Sequence, residues 1–288
     1  MRLARISRSD MPLDQVDVDR LPAESGVDET EMSFLDHLEE LRWHLVRAII
    51  AIFVVGVVLF IFHDWFFDTV LFGPRDPNFP TYQLFCAVGE QFCFTPPEFG
   101  MQAVGFAETF VLSIKVCFIM GFVVAFPYVF YQIWSFVAPG LYEEEKKATS
   151  GVVFVCSFLF MLGVLFGYFV IAPFAINFLM GYELPGVTNI PTVTSYVNYM
   201  VMFTLPAGMI FELPIVVYFL AKLGLITAAF MRQYRRHAFI LILVLSALVT
   251  PPDVVTQFLI GIPLYFLYEI SIFIARRMER KREAELAA

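Results

Sequence analysis

Six long apolar segments alternate with loops that are in turn poor and rich in Lys and Arg. A span needs about 20 apolar residues to cross roughly 30 Å of hydrocarbon. The segments predicted to cross are 45–62, 106–132, 151–170, 199–221, 238–249 and 254–275. Loops 63–105, 171–198 and 250–256 hold one basic residue, Arg75. The other loops and flanks hold Arg42, Arg47, Lys146, Lys147, Lys222, Arg232, Arg235, Arg236, Arg276, Arg277, Arg280, Lys281 and Arg282. The positive-inside rule then predicts an all-α polytopic membrane protein with both termini in the cytoplasm.

Composition supports one membrane domain. Hydrophobic residues make up 59% of the chain and charged residues 16%, which lies far outside the range of soluble proteins. The predicted domain covers 32–277, followed by a basic and polar tail, 278–288. The preceding segment, 1–31, is rich in carboxylates and is predicted to be disordered. It contains no apolar core, so no cleavable signal peptide is predicted.

The fifth apolar segment is short for a membrane span. Twelve residues of helix cover about 18 Å, against roughly 30 Å of hydrocarbon. The two prolines in 250–253 cannot continue the helix. We interpret the segment as crossing where the bilayer is locally thinned or where Arg235 and Arg236 snorkel, although a helix that begins nearer Met231 would also fit. Prolines within the spans predict kinks at Pro127, Pro206, Pro214 and Pro263.

Three of the polar residues within apolar segments are candidate site residues. Glu212 is deep in the fourth, and a carboxyl at that depth costs a few kcal/mol unless it faces protein or water. It predicts either a site for a partner or a proton, or a structural hydrogen bond to a neighbouring helix. Lys115 in the second segment is a possible partner for Glu212, and Gln257 in the sixth is a further polar candidate.

Two groups of carboxylates lie at the predicted cytoplasmic surface. Glu39 and Glu40 precede the first span, and a second group, containing Glu144 and Glu145, follows the second span. Fixed carboxylates at a surface suit bidentate recognition of guanidinium groups, although short charged loops are often merely solvated.

Cysteine and histidine spacing excludes a recognisable metal site. Cys86 and Cys93 share the first predicted outer loop, where a local disulfide is plausible because that compartment is oxidising. Cys117 and Cys156 are interpreted as packing residues within spans. No catalytic motif of a hydrolase or metalloprotease is present, so neither an enzyme nor a cofactor is predicted.

Four motifs together resemble the TatC family. They are FLDHLEELR at 34–42, YQIWSFVAPGLY at 131–142, FELP at 211–214 and LVTPPDV at 248–254. The resemblance covers about 32–277, in order. It implies six transmembrane helices that form a concave cup with two short final helices, in a bacterial inner membrane. It also implies the receptor subunit of the twin-arginine translocase, which exports folded proteins using the proton-motive force.

The resemblance also implies roles for individual residues. Glu40 and Glu145 match the carboxylates that bind the paired arginines of a signal peptide, and Arg42 and Phe136 match the same recognition region. Glu144 can share or replace part of the role of Glu145. Glu212 matches an intramembrane glutamate of the family that faces the cup. Gln257 matches a position where small single-span subunits of the TatA/TatB type dock, and self-association in an assembly is expected. No nucleic-acid partner is predicted.

Hydropathy and charge alone fit a second class equally well. A proton-coupled secondary transporter of a small solute could use Glu212 and Lys115 as its polar site. Such folds often contain paired repeats with broken helices, and the sequence contains no internal repeat.

Overall fold

A computed structural model describes residues 34–137, 149–182, 184–186, 188–249 and 254–287. The predicted disordered segment 1–31, the acidic group around Glu145 and the proline pair in 250–253 lie outside the described residues. The described chain divides into two units between Arg42 and Trp43, within the first helix. The domain boundaries expected from the sequence stay predictions.

The described residues are helical almost throughout. The helices are α1 (Phe34–Ile61), α2 (Pro80–Val88), α3 (Glu108–Val137), α4 (Thr149–Phe166), α5 (Ala172–Gly181), α6 (Val193–Phe211), α7 (Leu213–Lys222), α8 (Ala228–Gln233), α9 (Arg235–Val249) and α10 (Val254–Ala287). Helical turns connect them at His63–Trp65, Phe66–Leu71, Gly73–Arg75, Glu90–Phe92 and Gly167–Ile171. The only strand-like pairing among the described residues is an isolated bridge between Gln102 and Thr192. The all-α class is therefore confirmed.

Five helical segments in the described part of the chain are long and apolar enough to cross a bilayer. They are Glu39–Ile61, Glu108–Phe136, Gly151–Gly181, Val193–Lys222 and Gln257–Lys281. The fifth predicted span is the 15-residue α9, about 22 Å long. It begins at Arg235, because Tyr234 leaves the helical conformation after α8. The observed start lies three residues before the predicted start at residue 238, and so between the two starts that the sequence left open. The count of six crossings and the position of the termini stay predictions.

The third and sixth predicted spans end more than ten residues before the observed helices do. The third was expected to end at residue 170, but α4 continues through a π-helical turn into α5, as far as Gly181. Pro173 has no N–H, and the wider turn before it shifts the hydrogen-bond register without ending the helix. The sixth was expected to end at 275, but α10 runs for 34 residues. Its last residues are mostly good helix formers.

Glycines bring α4 and α6 into close contact. Gly163 on α4 and Gly167, the first residue of the π-helical turn that follows it, lie four residues apart, the spacing that lets membrane helices approach closely. A Cβ at Gly163 would lie 2.7 Å from the carbonyl oxygen of Ala207 and 2.8 Å from the Cα of Gly208. A Cβ at Gly167 would collide with the carbonyl oxygen of Phe203. Backbone contact at this interface therefore requires glycine.

The segment between α1 and α3 packs onto α5 and the π-helical turn before it. Cys86 and Cys93 are joined by a disulfide, which closes the loop that follows α2. Phe94 in this loop packs against Phe174, with ring centroids 4.4 Å apart and the ring planes tilted by 39°. The buried Tyr82 hydroxyl donates to the carbonyl of Pro74 at 2.7 Å, and burial raises the pKa of this hydroxyl. The loop is thus an ordered part of the fold.

We expect Gly163→Val to destabilise the protein by about 2 kcal/mol or more, because the side chain would collide with backbone atoms of α6. The measurement is the thermal unfolding temperature in detergent. Gly151→Val is the matched control on the same helix, since no atom lies within 4 Å of its Cβ position. Equal unfolding temperatures for the two variants would contradict the packing account.

Candidate functional site

Glu39 and Glu40, near the start of α1, differ in their contacts. Arg42 Nη1 lies 3.4 Å from Glu39 Oε1, in an ion pair whose two side chains are 70% and 57% exposed. Such an exposed pair contributes little to stability. Glu40 is half-buried and has no hydrogen bond or ion pair among the described residues. Glu40 is therefore the carboxylate at this end that is free to accept a cationic ligand.

A polar contact joins α1 to the end of α3 that lies on the same side of the membrane. His44 Nδ1 donates to Gln132 Oε1 at 2.6 Å, and Gln132 is only 4% exposed. The ring of Phe136 lies 6.4 Å from that of His44, centroid to centroid. The sequence predicted Phe136 as a site residue but missed the pair behind it. The sequence signal that could have identified Gln132 is a polar amide residue at the end of an apolar segment.

The end of α3 also packs against α7. Trp134 is 6% exposed, and its ring centroid lies 4.8 Å from that of Phe219 on α7. The indole Nε1 is buried and has no hydrogen-bond partner among the described residues. This region is fixed to two other helices, so the residues that end α3 have a rigid support. Glu144 and Glu145, the acidic residues expected nearby in the sequence, lie outside the described residues.

Glu212 occupies the break between α6 and α7. Its carbonyl accepts the N–H groups of Ile215 and Val216, at 3.0 and 3.1 Å, and so starts a new helix. Pro214 lies within the first turn of α7, where its missing N–H is tolerated. The sequence expected a kink here, and the structure has a change of helix.

The Glu212 carboxyl contacts α4, whereas its expected partner, Lys115, lies on α3. Its neighbour is the thiol of Cys156, which interacts with the carboxyl. The carboxyl atom Oε1 is buried without a hydrogen-bond partner among the described residues. Cys156 was interpreted only as a packing residue, and this contact adds a polar role. A contact between residues 56 positions apart could not be derived from a single sequence.

Lys115 does not pair with Glu212, so that expectation is wrong. Its Nζ donates to Asn198 Oδ1 at 2.8 Å, near the start of α6. Lys115 lies only seven residues after the start of α3, whereas Glu212 follows the far end of α6. The two charged groups are therefore at different depths in the bilayer.

Gln257 ties the last two helices together. Its Nε2 donates to the carbonyl of Leu243 on α9 at 3.0 Å. The side chain is half-buried, so the amide oxygen and the second amide hydrogen remain available to another group. Within the described ranges, no group of three or more His, Cys, Asp or Glu residues is arranged to hold a metal ion.

An apolar cavity of about 550 Å³ opens between α3, α4 and α6. Its walls are formed mainly by Val, Ile, Met and Phe side chains, together with residues of the outer loop. The residues that line it within the three helices are Val116, Ile119, Met120, Val123, Val124, Met161, Val164, Leu165, Met200, Val201 and Thr204. Such a surface suits an apolar helix or lipid tails and offers little to a polar solute.

The family model described as "Sec-independent protein translocase protein (TatC)" matches residues 36–263. The protein of that name from Blattabacterium sp. is 36% identical over 263 residues, covering 88% of this chain and 99% of the relative. The one from Desulforapulum autotrophicum is also 36% identical, covering 90% and 89%. A crystal structure of the twin-arginine translocase receptor TatC is 33% identical, with a TM-score of 0.65, covering 84% of this chain and 99% of that one.

We expect Gln132→Leu to destabilise the protein by about 1–2 kcal/mol, because it leaves the half-buried imidazole N–H of His44 without its acceptor. The double variant His44→Phe, Gln132→Leu should recover most of this loss. Thermal unfolding in detergent measures both. Simple addition of the two single-variant effects would show that the hydrogen bond does not couple α1 to α3.

Proposed function

The chain belongs to the TatC family of Sec-independent protein translocase proteins, and we propose that it receives signal peptides with two consecutive arginines. It is a polytopic protein of the bacterial inner membrane. The family match, together with an unengaged Glu40 at the start of α1, carries the proposal. The role is recognition and assembly, with no chemical step.

Two carboxylates on the protein correspond to two guanidinium groups on the signal. A guanidinium forms two parallel hydrogen bonds with a carboxylate, which an ammonium group cannot do. Glu40 accepts one arginine, and Glu145 accepts the other, with Glu144 as a neighbouring acceptor. Arg42 contributes indirectly by engaging Glu39, which leaves Glu40 as the acceptor for the cargo.

The apolar part of a signal peptide needs an apolar surface within the bilayer. The cavity between α3, α4 and α6 offers one, with volume for several side chains. Its few polar groups, such as Thr204, already donate within their own helix. Binding there would bury the apolar segment by contact with Val, Ile and Met side chains, and would not require a defined sequence.

Glu212 and Gln257 are proposed to contact small single-span subunits of the TatA/TatB type. Each has hydrogen-bonding capacity that the described chain leaves unused, namely Oε1 of Glu212 and the amide oxygen of Gln257. A polar group within a bilayer is stabilised by a partner on a neighbouring helix. The transporter alternative is not favoured, because Lys115 bonds to Asn198 and lies apart from Glu212.

We expect Glu40→Gln to weaken binding of an Arg-Arg signal peptide by about 10-fold or more, since a charge-assisted hydrogen bond contributes about 1.5–3 kcal/mol. Titration of the purified protein with a labelled peptide measures the affinity. Glu39→Gln is the matched control on the adjacent residue and should have a much smaller effect, because Glu39 is already paired with Arg42. If the two variants bind equally well, Glu40 is not the acceptor.

We expect Glu212→Ala to reduce export of a folded cargo while leaving signal-peptide affinity within about twofold of the wild type, because the carboxyl lies beside α4 within the membrane. Export into membrane vesicles and peptide titration separate the two steps. Glu212→Gln keeps the hydrogen-bonding shape and should retain more export than the alanine variant. A loss of peptide affinity equal to the loss of export would place Glu212 in recognition.

A further inference from the structure

The last helix carries an exposed apolar face that continues into an exposed basic face. At 100° per residue, positions 262, 266, 273, 276, 277 and 280 fall within an arc of about 100° on α10. Ile262, Phe266 and Phe273 on this arc are 65%, 65% and 67% exposed. Arg276, Arg277 and Arg280 follow within two turns and are also exposed. Bulky apolar side chains thus lead directly to three guanidinium groups.

These arginines are not neutralised within the described part of the chain. None of the three has a hydrogen bond or ion pair there. Glu269 lies on the same arc but pairs with Arg235 at 2.6 Å. Glu279 lies among the arginines in sequence, but its Oε1 accepts the N–H of Ala228 at the start of α8, at 2.7 Å. The nearby acidic groups whose contacts are described are therefore engaged elsewhere.

We propose that this face of α10 binds an anionic phospholipid of the cytoplasmic leaflet. The acyl chains lie along Ile262, Phe266 and Phe273, and the headgroup phosphate is held by Arg276, Arg277 and Arg280. Arginine suits this role because its planar fork matches phosphate oxygens. Basic residues clustered immediately beyond a transmembrane helix attract anionic lipids.

A lipid fits this face better than a partner helix does. Tight packing between membrane helices uses small residues, as it does at Gly163 and Gly167 against α6. The exposed face of α10 presents isoleucine and phenylalanine instead. None of its residues belongs to the proposed signal or subunit sites, because Gln257 projects from the opposite side of the helix, toward α9.

The test is lipid binding to the full-length protein in detergent, followed by native mass spectrometry. The probes are phosphatidylglycerol and phosphatidylcholine with identical acyl chains. Wild type should bind phosphatidylglycerol more tightly. The variant Arg276→Gln, Arg277→Gln, Arg280→Gln should bind it roughly 100-fold more weakly, because each basic residue near an anionic surface contributes about fivefold. Its affinity for phosphatidylcholine should not change.

A control removes exposed arginines from other helices. Arg47→Gln, Arg236→Gln should bind phosphatidylglycerol as the wild type does. If this control loses as much affinity for phosphatidylglycerol as the triple variant does, the lipid is attracted by the overall positive charge, and the proposal is overturned. The proposal is also overturned if the wild type does not prefer phosphatidylglycerol to phosphatidylcholine. If inorganic phosphate fully displaces the lipid, the headgroup alone accounts for binding, and the proposed contacts between the acyl chains and α10 are wrong. Phe273→Ala should weaken binding of both lipids to a similar degree.

Discussion

Inside a bilayer, an unpaired backbone N–H or carbonyl costs several kcal/mol, and this requirement shapes the whole chain. It explains why the described residues are helices and why interruptions occur only where another group can repair them. At the α6–α7 break the carbonyl of Glu212 starts the next helix. Before Pro173 a π-helical turn keeps the chain helical. The same constraint applies to the Glu212 carboxyl, whose buried Oε1 has no hydrogen-bond partner among the described residues. An unpaired polar atom at that position costs free energy unless another group binds it.

Hydropathy predicted the helical class and the approximate positions of the five helical segments that are long enough to cross a bilayer, because it is a local property of the sequence. It also predicted that the fifth span would be short, and α9 has 15 residues. The contacts that position the site were not predictable in the same way. His44 with Gln132, Cys156 with Glu212 and Lys115 with Asn198 each join residues more than 50 positions apart. Their pairing depends on how helices pack, which a single sequence does not specify.

The structure combines tightly packed helices with polar side chains whose hydrogen-bond acceptors have no partner among the described residues. Glycines lock α4 to α6, and the His44–Gln132 bond fixes α1 against α3. Beside this packing, Glu40, Glu212 and Gln257 keep acceptors that no other group among the described residues fills. A receptor needs this combination, because preorganised groups lose little entropy when a partner binds. The basic face of α10 would add a fixed contact with the surrounding lipid.

The most direct test is site-specific crosslinking in membranes, with a photoreactive group at Leu41 or Trp43 beside Glu40. Both side chains are exposed, so the probe should not disturb packing. Two signal peptides would be compared, one with Arg-Arg and one with Lys-Lys at the same positions. The account predicts crosslinks to the Arg-Arg peptide that fade with Lys-Lys. Equal crosslinking of both peptides, or none with either, would contradict recognition of paired arginines at the start of α1.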